Sequence, residues 1–418
     1  QQEGARYSAR DLAIYRGRLE NARVVLGSAT PSLESWQASQ TGRYARLEMP
    51  ERVGAGALPR VRLVDMNHQP KRALIAPPLL AAIGERIARG EQSLLFLNRR
   101  GYSPVLACTA CEWKSDCPNC SAFRVFHKID RTLRCHHCGY TELVPRACPD
   151  CGNVDIAPLG RGTEQLEEQL AELLAEVQRP GDGDGERPAR IVRMDADSTR
   201  GKGALESQLA AVHAGDIDVL VGTQMITKGH DFRRITLVAA INPDTALFSS
   251  DFRAPERLFA LLMQAAGRGG RDASQAAASE MWVQTWSPRH PLFAALKRHD
   301  YPAFAADQLK EREQAAMPPF AFQALLRAEA RTQEVAKAFL DAAREAGPGL
   351  EAGAQVTLYS AVPMAVQRVA NVERAQLLIE SHSRPALQRF LQALQPLLQG
   401  LRLQGMIRWA VDVDPLSV

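Results

Sequence analysis

From Leu58 onward, short apolar runs alternate with stretches whose apolar residues recur every three or four positions. Arg60–Met66, Ser93–Leu97, Ile191–Met194, Val219–Gly222, Thr236–Ile241 and Met281–Trp286 read as strands, and the nearly continuous apolar ones among them suit strands covered on both faces. Pro78–Arg89, Ala204–Ala214 and Pro255–Ala266 read as helices between them. Thr163 can cap another helix, whose Leu166, Leu170, Leu173, Leu174 and Val177 share one face. This alternation predicts an α/β fold built on a doubly wound parallel sheet. Ahead of it lie a helix around Asp11–Glu20 and a short buried strand, Val24-Val25-Leu26, running into Gly27-Ser-Ala-Thr-Pro31. Small hydroxylated residues after a strand suit a ligand-facing edge of such a sheet, although a turn and helix N-cap explain the pentapeptide equally well. Pro180–Pro188 is too polar for a core and reads as a solvated loop. Near His299–Pro319 the composition shifts. Beyond it, strands at Phe322–Glu329, Val356–Ser360, Gln376–Glu380 and Arg408–Val413 and helices at Thr332–Ala346 and Arg384–Leu398 predict a small α+β domain of about 100 residues, a usual size for one core.

The parallel pattern is interrupted between Cys108 and Cys151, which bound all eight cysteines of the chain. They form four Cys-x-x-Cys pairs: Cys108/Cys111, Cys117/Cys120, Cys135/Cys138 and Cys148/Cys151. Each pair places two thiolates on one side of a tight knuckle, and two knuckles make the tetrahedral sulfur cage that zinc prefers. Two zinc sites are expected. The second and third knuckles are separated by Ser121–Arg134, long enough for a β-hairpin that includes Phe123, Val125, Phe126, Ile129 and Leu133. Nested pairing follows as a hypothesis, with Cys117, Cys120, Cys135 and Cys138 on one zinc and Cys108, Cys111, Cys148 and Cys151 on the other. Disulfides are the competing reading, disfavoured for clustered thiols in a large chain with no signal peptide. His136 and His137 are expected at the surface. The βαβ setting of a thioredoxin-like redox pair is not visible.

Charge adds little. A net charge of +4 on 418 residues does not by itself indicate nucleic acid, so a DNA-binding claim must rest on local patches such as Arg124, His127, Lys128, Arg131 and Arg134. No apolar run reaches the ~18 residues of a membrane helix. Gln1-Gln2-Glu3 neither starts with Met nor resembles a signal peptide, and the chain reads as a piece of something longer.

Three stretches carry candidate chemistry. Gly27–Pro31 is the first, Val219–Phe232 the second, and Gln264-Ala-Ala-Gly-Arg-Gly-Gly-Arg271, at the end of an amphipathic helix, the third. Arg268 and Arg271, set among glycines that permit close approach, can point guanidinium groups at a triphosphate. Thr223, ending a strand, can hydrogen-bond a backbone phosphate. Taken singly, either arginine is more often a surface ion-pair residue. The order of all three on alternating βα units argues against accident.

On these residues the chain resembles the superfamily 2 helicases, and within them the replication-restart helicases of the primosome, from Gln1 to Val418. Gly27–Pro31 looks like that family's motif III, Leu94–Pro104 like motif IV, Val219–Phe232 like motif V and Gln264–Arg271 like motif VI, and an eight-cysteine insert with first-with-fourth and second-with-third pairing is the family's own feature. The resemblance implies the end of a first helicase lobe in residues 1–48. A RecA-like second lobe would occupy 49–105 and 156–300, interrupted by a zinc module at 106–155, with the α+β domain at 301–418. It further implies an ATP-dependent 3′→5′ DNA helicase that binds stalled forks and D-loops and starts primosome assembly. The implied catalytic residues are Arg268, Arg271 and Gln264. Gly229, Asp231 and Gly267 would contact nucleotide, and Ser28, Thr30, Thr223, Tyr7 and Arg100 would bind DNA or couple the lobes. Implied cofactors are two Zn2+ and ATP with Mg2+, and implied partners are forked and single-stranded DNA, single-strand-binding protein and primosome proteins. The expected protein is a bacterial cytoplasmic, nucleoid-associated monomer without a membrane partner.

The sequence departs from that family in several places. It contains no Gly-x-x-x-x-Gly-Lys-Ser/Thr and no Asp-Glu-x-His box, so the phosphate cradle is expected upstream of Gln1, and ATP hydrolysis by this chain alone is not expected. Ala5 stands where the family usually has an aromatic in a loop that couples DNA to ATP hydrolysis, although Tyr7 remains; base stacking on an aromatic is worth roughly 1–3 kcal/mol, so that contact is expected to be weakened. Motif VI reads GRGGR for GRAGR, and Arg233 stands where proline is usual. The alternative reading is a non-catalytic zinc module that binds fork DNA and primosome proteins.

Overall fold

The computed structural model describes residues 8–49, 58–70, 73–97, 105–111, 113–127, 131–135, 137–159, 163–180, 186–194, 198–199, 203–223, 232, 234–249, 251–269 and 278–416. These fall into two compact units. One comprises 38–103 and 160–308, the other 1–37, 104–159 and 309–418.

The first unit is built on a six-stranded sheet. Its strands are β1 (Arg60–Asp65), β2 (Gln92–Leu97), β10 (Ile191–Met194), β11 (Val219–Gly222), β12 (Ile235–Ile241) and β13 (Glu280–Thr285). They lie in the order β1-β13-β12-β2-β11-β10, and every pair is parallel. All of β2, β11 and β12 is buried, which is why their sequences are apolar without alternation. Helices α3 (Pro77–Ala88) and α4 (Thr163–Leu173) cover one face. Leu79, Ile83 and Ile87 of α3 and Leu166 and Leu170 of α4 meet Leu95, Val219, Val221, Leu237, Ala239 and Ile241 there. Each such leucine or isoleucine, removed from water, contributes about 1.5–3 kcal/mol. Leu174 joins this core just beyond α4, continuing the four-residue step of Leu166 and Leu170. Leu173, expected on the same face, is 53% exposed: it lies about 100° around the axis from Leu174, past the edge of the buried stripe. Helix α7 (Ala254–Ala266) packs on β12, and Phe259 stacks on Phe304 of α9 (Tyr301–Gln314), their rings 4.1 Å apart. Helices α5 (Ala204–Ala214), α6 (Asp244–Leu247) and α8 (Pro291–Lys297) complete the unit.

Pro180–Pro188 is more ordered at its ends than its composition suggests. β8 (Gln178–Pro180) pairs with β9 (Glu186–Pro188). The cause is Asp218, fully buried at the start of β11. Its carboxylate accepts from Arg179 on β8, from Arg187 Nη1 on β9 at 2.9 Å and from the Arg190 N–H at 2.8 Å. A long-range charge contact thus ties down the two ends of a stretch whose local sequence encodes a loop, residues 181–185 of which lie outside the described residues.

In the second unit, helix α1 (Ala9–Leu19) is capped by Ser8, whose side chain accepts from the Asp11 N–H at 3.4 Å, and α2 (Leu33–Gln40) begins here. Val24–Leu26, expected as a buried strand, is not one: the segment pairs with no strand among the described residues, and Val25 is 84% exposed. Apolar residues form a strand only where a neighbour satisfies their backbone groups.

The carboxyl-terminal part is antiparallel, with β14 (Phe322–Ala330), β15 (Thr357–Leu358), β16 (Val362–Val369), β17 (Val372–Ser381) and β18 (Met406–Val413). Ala324, Leu326, Ala328 and Ala330 alternate onto the face covered by α10 (Gln333–Ala346) and α11 (Arg384–Gly400). Ala336, Phe339, Leu340 and Ala343 supply the helical stripe of α10. On the other face Arg327 pairs with Asp412 at 3.3 Å and Glu329 with Arg408 at 2.6 Å. Within this domain the sequence pattern missed β16. Its Pro363 argues against a central strand, and it is tolerated because β16 pairs only with β17. The parallel α/β sheet, the cysteine module and the small α+β domain expected from the sequence are all present.

Candidate functional site

The cysteine module stands on two small sheets. β3 (Val105–Cys108) pairs antiparallel with β7 (Ile156–Leu159), bringing the two ends of the module together. β4 (Val125–His127), β5 (Thr132–Arg134) and β6 (Thr141–Leu143) form a three-stranded sheet, of which β4–β5 is the hairpin expected between the second and third knuckles.

The result is two cages. Cys108, Cys111, Cys148 and Cys151 form one, and Cys117, Cys120, Cys135 and Cys138 the other, the sulfurs within each lying inside 4.8 Å of one another. Cys108 and Cys151 Sγ are 3.6 Å apart, Cys111 and Cys148 3.5 Å, and Cys117 and Cys138 3.7 Å. Four thiolates at the zinc–sulfur distance of about 2.3 Å in a tetrahedron lie about 3.8 Å from one another. A disulfide needs about 2.05 Å. All eight are free thiols, so the spacing fits a metal and excludes the disulfide reading.

Hydrogen bonding around the sulfurs supports the same assignment. The Ala110 N–H donates to Cys108 Sγ at 3.3 Å and Asn153 Nδ2 at 3.5 Å. Burial opposes ionisation of Cys108, but these donors bring its thiol down to about 6. The Tyr140 N–H likewise brings Cys138 down to about 7. Their neighbours move the other way. Burial pushes Cys120 up to about 12. Cys111 also rises to about 12, because burial and the adjacent thiols outweigh the Trp113 N–H. The residues fit zinc, which would be closed to substrate by four thiolates and so serves structure.

Arg124 leaves the basic patch expected on the hairpin. It is 8% exposed, ion-paired with Glu142 and set over the Tyr140 ring at 5.7 Å. Arg131 is exposed at the hairpin turn and Arg134 is half-buried with its Nε donating to Thr132 Oγ1 at 3.0 Å. Lys128 and His136 lie outside the described residues.

The candidate nucleotide and DNA residues divide between the units. Gln264 is exposed on the last turn of α7, Gly267 closes that helix, and the Arg268 N–H donates to the Ala265 carbonyl at 2.9 Å. These three therefore share one helix end. Thr223 directly follows β11 and is buried. Ser28 and Thr30 belong to the other unit, where Ser28 Oγ accepts from the Thr30 N–H at 3.1 Å. Tyr7, Arg100, Gly229, Asp231 and Arg271 lie outside the described residues, as do Ala5 and Arg233. Several contributors to the cages escaped the sequence reading, Asn153 and Ala370 among them. Asn153 sits two places after a cysteine, a signal in hindsight, but Ala370 donates through its backbone and leaves no residue-type mark.

Residues 117–142 match the model of the PriA DNA helicase Cys-rich region (CRR) domain, and 313–416 that of the Primosomal protein N C-terminal domain. Replication restart protein PriA of Haemophilus influenzae is 40% identical over 418 residues, covering 99% of this chain and 54% of that protein. The Bacillus subtilis protein of the same name is 39% identical over 345 residues, covering 82% of this chain and 41% of its own length. The chain spans about half the length of the curated relatives it matches. Among solved structures, S. cerevisiae Dbp5 bound to RNA and ADP BeF3 aligns with a TM-score of 0.33 at 10% identity, over 73% of this chain and 59% of that one.

Proposed function

The chain is related to replication restart protein PriA along nearly its whole length and carries that family's cysteine-rich region and carboxyl-terminal domain, and on that premise we propose that it works as part of an ATP-dependent 3′→5′ DNA helicase of replication restart. The observation that carries this reading is the pair of nested four-cysteine cages in a chain that also holds a six-stranded parallel α/β sheet. In the proposed division, residues 1–48 close a first lobe, 49–105 and 156–300 form the second, 106–155 the zinc module and 301–418 the carboxyl-terminal domain. Arg268 and Arg271, positioned by Gln264, supply positive charge to a γ-phosphate as it transfers. Gly229, Asp231 and Gly267 approach the nucleotide. Thr223, Ser28, Thr30, Tyr7 and Arg100 hold the DNA strand or pass its movement to the nucleotide. Bound ATP with Mg2+ supplies the driving chemistry. The two cages hold zinc and stiffen a surface for strand separation or docking. Stalled forks, single-strand-binding protein and primosome proteins are the proposed partners, in the bacterial cytoplasm.

A second reading is favoured by one observation: no Gly-x-x-x-x-Gly-Lys-Ser/Thr occurs in the 418 residues. On that reading the chain binds forks without hydrolysis. Measuring fork binding and DNA-stimulated ATP hydrolysis in the same reactions tests both. Fork binding without hydrolysis by this chain, together with loss of unwinding on Arg271→Ala in a protein that includes a P-loop lobe, supports the helicase reading. Unwinding that survives Arg271→Ala at a near wild-type rate overturns the arginine assignment. Hydrolysis by the chain alone, abolished by Arg268→Ala, would place the phosphate cradle within these residues and refute its expected location.

A further inference from the structure

The second cage is not sealed by its own module. Cys120 Sγ accepts from the Ala370 N–H at 3.3 Å, across 250 positions of sequence. Around this bond the β16–β17 turn and the second knuckle are laced together. The Ser121 N–H donates to the Arg368 carbonyl at 2.9 Å, and the Arg368 N–H to Ser121 Oγ at 3.2 Å. The Asn371 N–H donates to the Asn119 carbonyl at 2.9 Å, and its Nδ2 to Asn119 Oδ1 at 3.3 Å. Val369 packs directly against the cage, beside Cys117, Cys120 and Cys135. Among the described residues the first cage has no counterpart: its donors, Ala110, Trp113 and Asn153, belong to its own knuckles.

The turn itself is strained for this purpose. Val369 pairs with Val372, leaving Ala370 and Asn371 as a two-residue turn with φ of +49° and +60°. Asparagine tolerates that region, but alanine does not favour it. Such a conformation persists where its surroundings fix it, and here it aims the Ala370 N–H at a metal-ligating sulfur.

We propose that the β16–β17 turn is the outer shell of the second metal centre, with Ala370 its positioning residue, so that a divalent ion held by Cys117, Cys120, Cys135 and Cys138 fastens the carboxyl-terminal domain to the cysteine module. This rests on the reading that the cage holds zinc. Donors to a ligand sulfur orient it, and their loss typically lowers metal affinity about 10–100-fold. Because coupling is reciprocal, loss of the ion must loosen the turn by the same factor.

Hydrogen exchange on the complete chain, with zinc content measured on the same samples, tests this. In the zinc-loaded protein the Ala370 and Asn371 amides are protected. Emptying the second cage by Cys117→Ser with Cys135→Ser accelerates their exchange about tenfold or more, while Leu325 and Leu377 in the domain core stay protected. Emptying the first cage by Cys108→Ser with Cys151→Ser leaves the turn unchanged. Unchanged exchange in the second-cage variant, or equal acceleration in both, overturns the proposal. A chain that binds no zinc at all defeats the metal reading instead. The reciprocal measurement replaces residue 370 with the α-hydroxy analogue of alanine, exchanging the N–H for an ester oxygen. A chelator then extracts one of the two ions about tenfold faster and the other at its original rate. Extraction unchanged for both ions overturns the assignment of Ala370.

Discussion

Asp218→Ala should release the edge of the parallel sheet, and the structure sets the size of the effect. Asp218 is fully buried, and its carboxylate meets two guanidinium groups and one backbone N–H. Removing one partner of a buried ion pair costs about 3–5 kcal/mol, because the other charge stays buried and uncompensated. Arg187, whose side chain is a third exposed, can turn to water and adds little. Arg179 cannot, but it keeps bonds to the Gly215 carbonyl and, at 3.4 Å, to the Gly90 carbonyl. The loss therefore falls near the lower end, about 3 kcal/mol. In a urea titration followed by hydrogen exchange at the β10 and β11 amides, that corresponds to a midpoint about 1–2 M lower. Arg179→Met combined with Asp218→Leu should recover more than half of the loss, since apolar groups replace both charges. A single variant whose midpoint stays within roughly 0.3 M of the parent would refute the reasoning. So would a double variant no better than Asp218→Ala.

Metal analysis should find two zinc ions per chain, falling to one in Cys135→Ser and to one in Cys148→Ser; loss of both ions from either variant would contradict separate cages. Leu170→Ala, in the fully buried stripe of α4, should cost about 2–5 kcal/mol in a denaturation experiment, whereas Leu173→Ala, exposed on the same helix, should cost under about 0.5 kcal/mol. Gly353→Ala should destabilise the carboxyl-terminal domain, because a Cβ there would meet the Gly347 carbonyl oxygen and the Pro348 oxygen at 2.9 Å, both rigid backbone. The Asp65 carboxyl is held below the ordinary carboxylate range by the Asn67 backbone and side-chain amides. Its cap on Met66–His68 is therefore complete above that range and lost as pH falls through the lowered value, which a carboxyl NMR titration would follow.

How much was legible in the chain depended on the range over which each feature is encoded. The central strands of the parallel sheet are short runs covered on both faces, so Val219–Gly222 could be read from neighbouring residues alone, and the half-buried edge strand Ile191–Met194 is likewise a short run rich in apolar residues. The same holds for Ala204–Ala214, which ends at Gly215 with a φ of +88°, a conformation glycine adopts without strain. The cysteine cages were legible because a knuckle is a local object and loop length limits which knuckles can meet. The readings that failed were those decided at a distance. Val24–Leu26 has strand composition but no strand beside it among the described residues. Arg124 has the charge of a surface residue but is drawn inward by Glu142 and Tyr140. Pro180–Pro188 has the composition of a loop, yet Asp218 pairs its two ends.

The sequence by itself determined the parallel α/β core, the two four-cysteine sets and the α+β character of the carboxyl-terminal segment, because periodicity and knuckle spacing act within a few residues. Only the tertiary structure decided which charges are buried and that a turn 250 positions away donates to Cys120. Backbone donors and long-range ion pairs carry no periodic signature, and their partners are chosen by the folded chain.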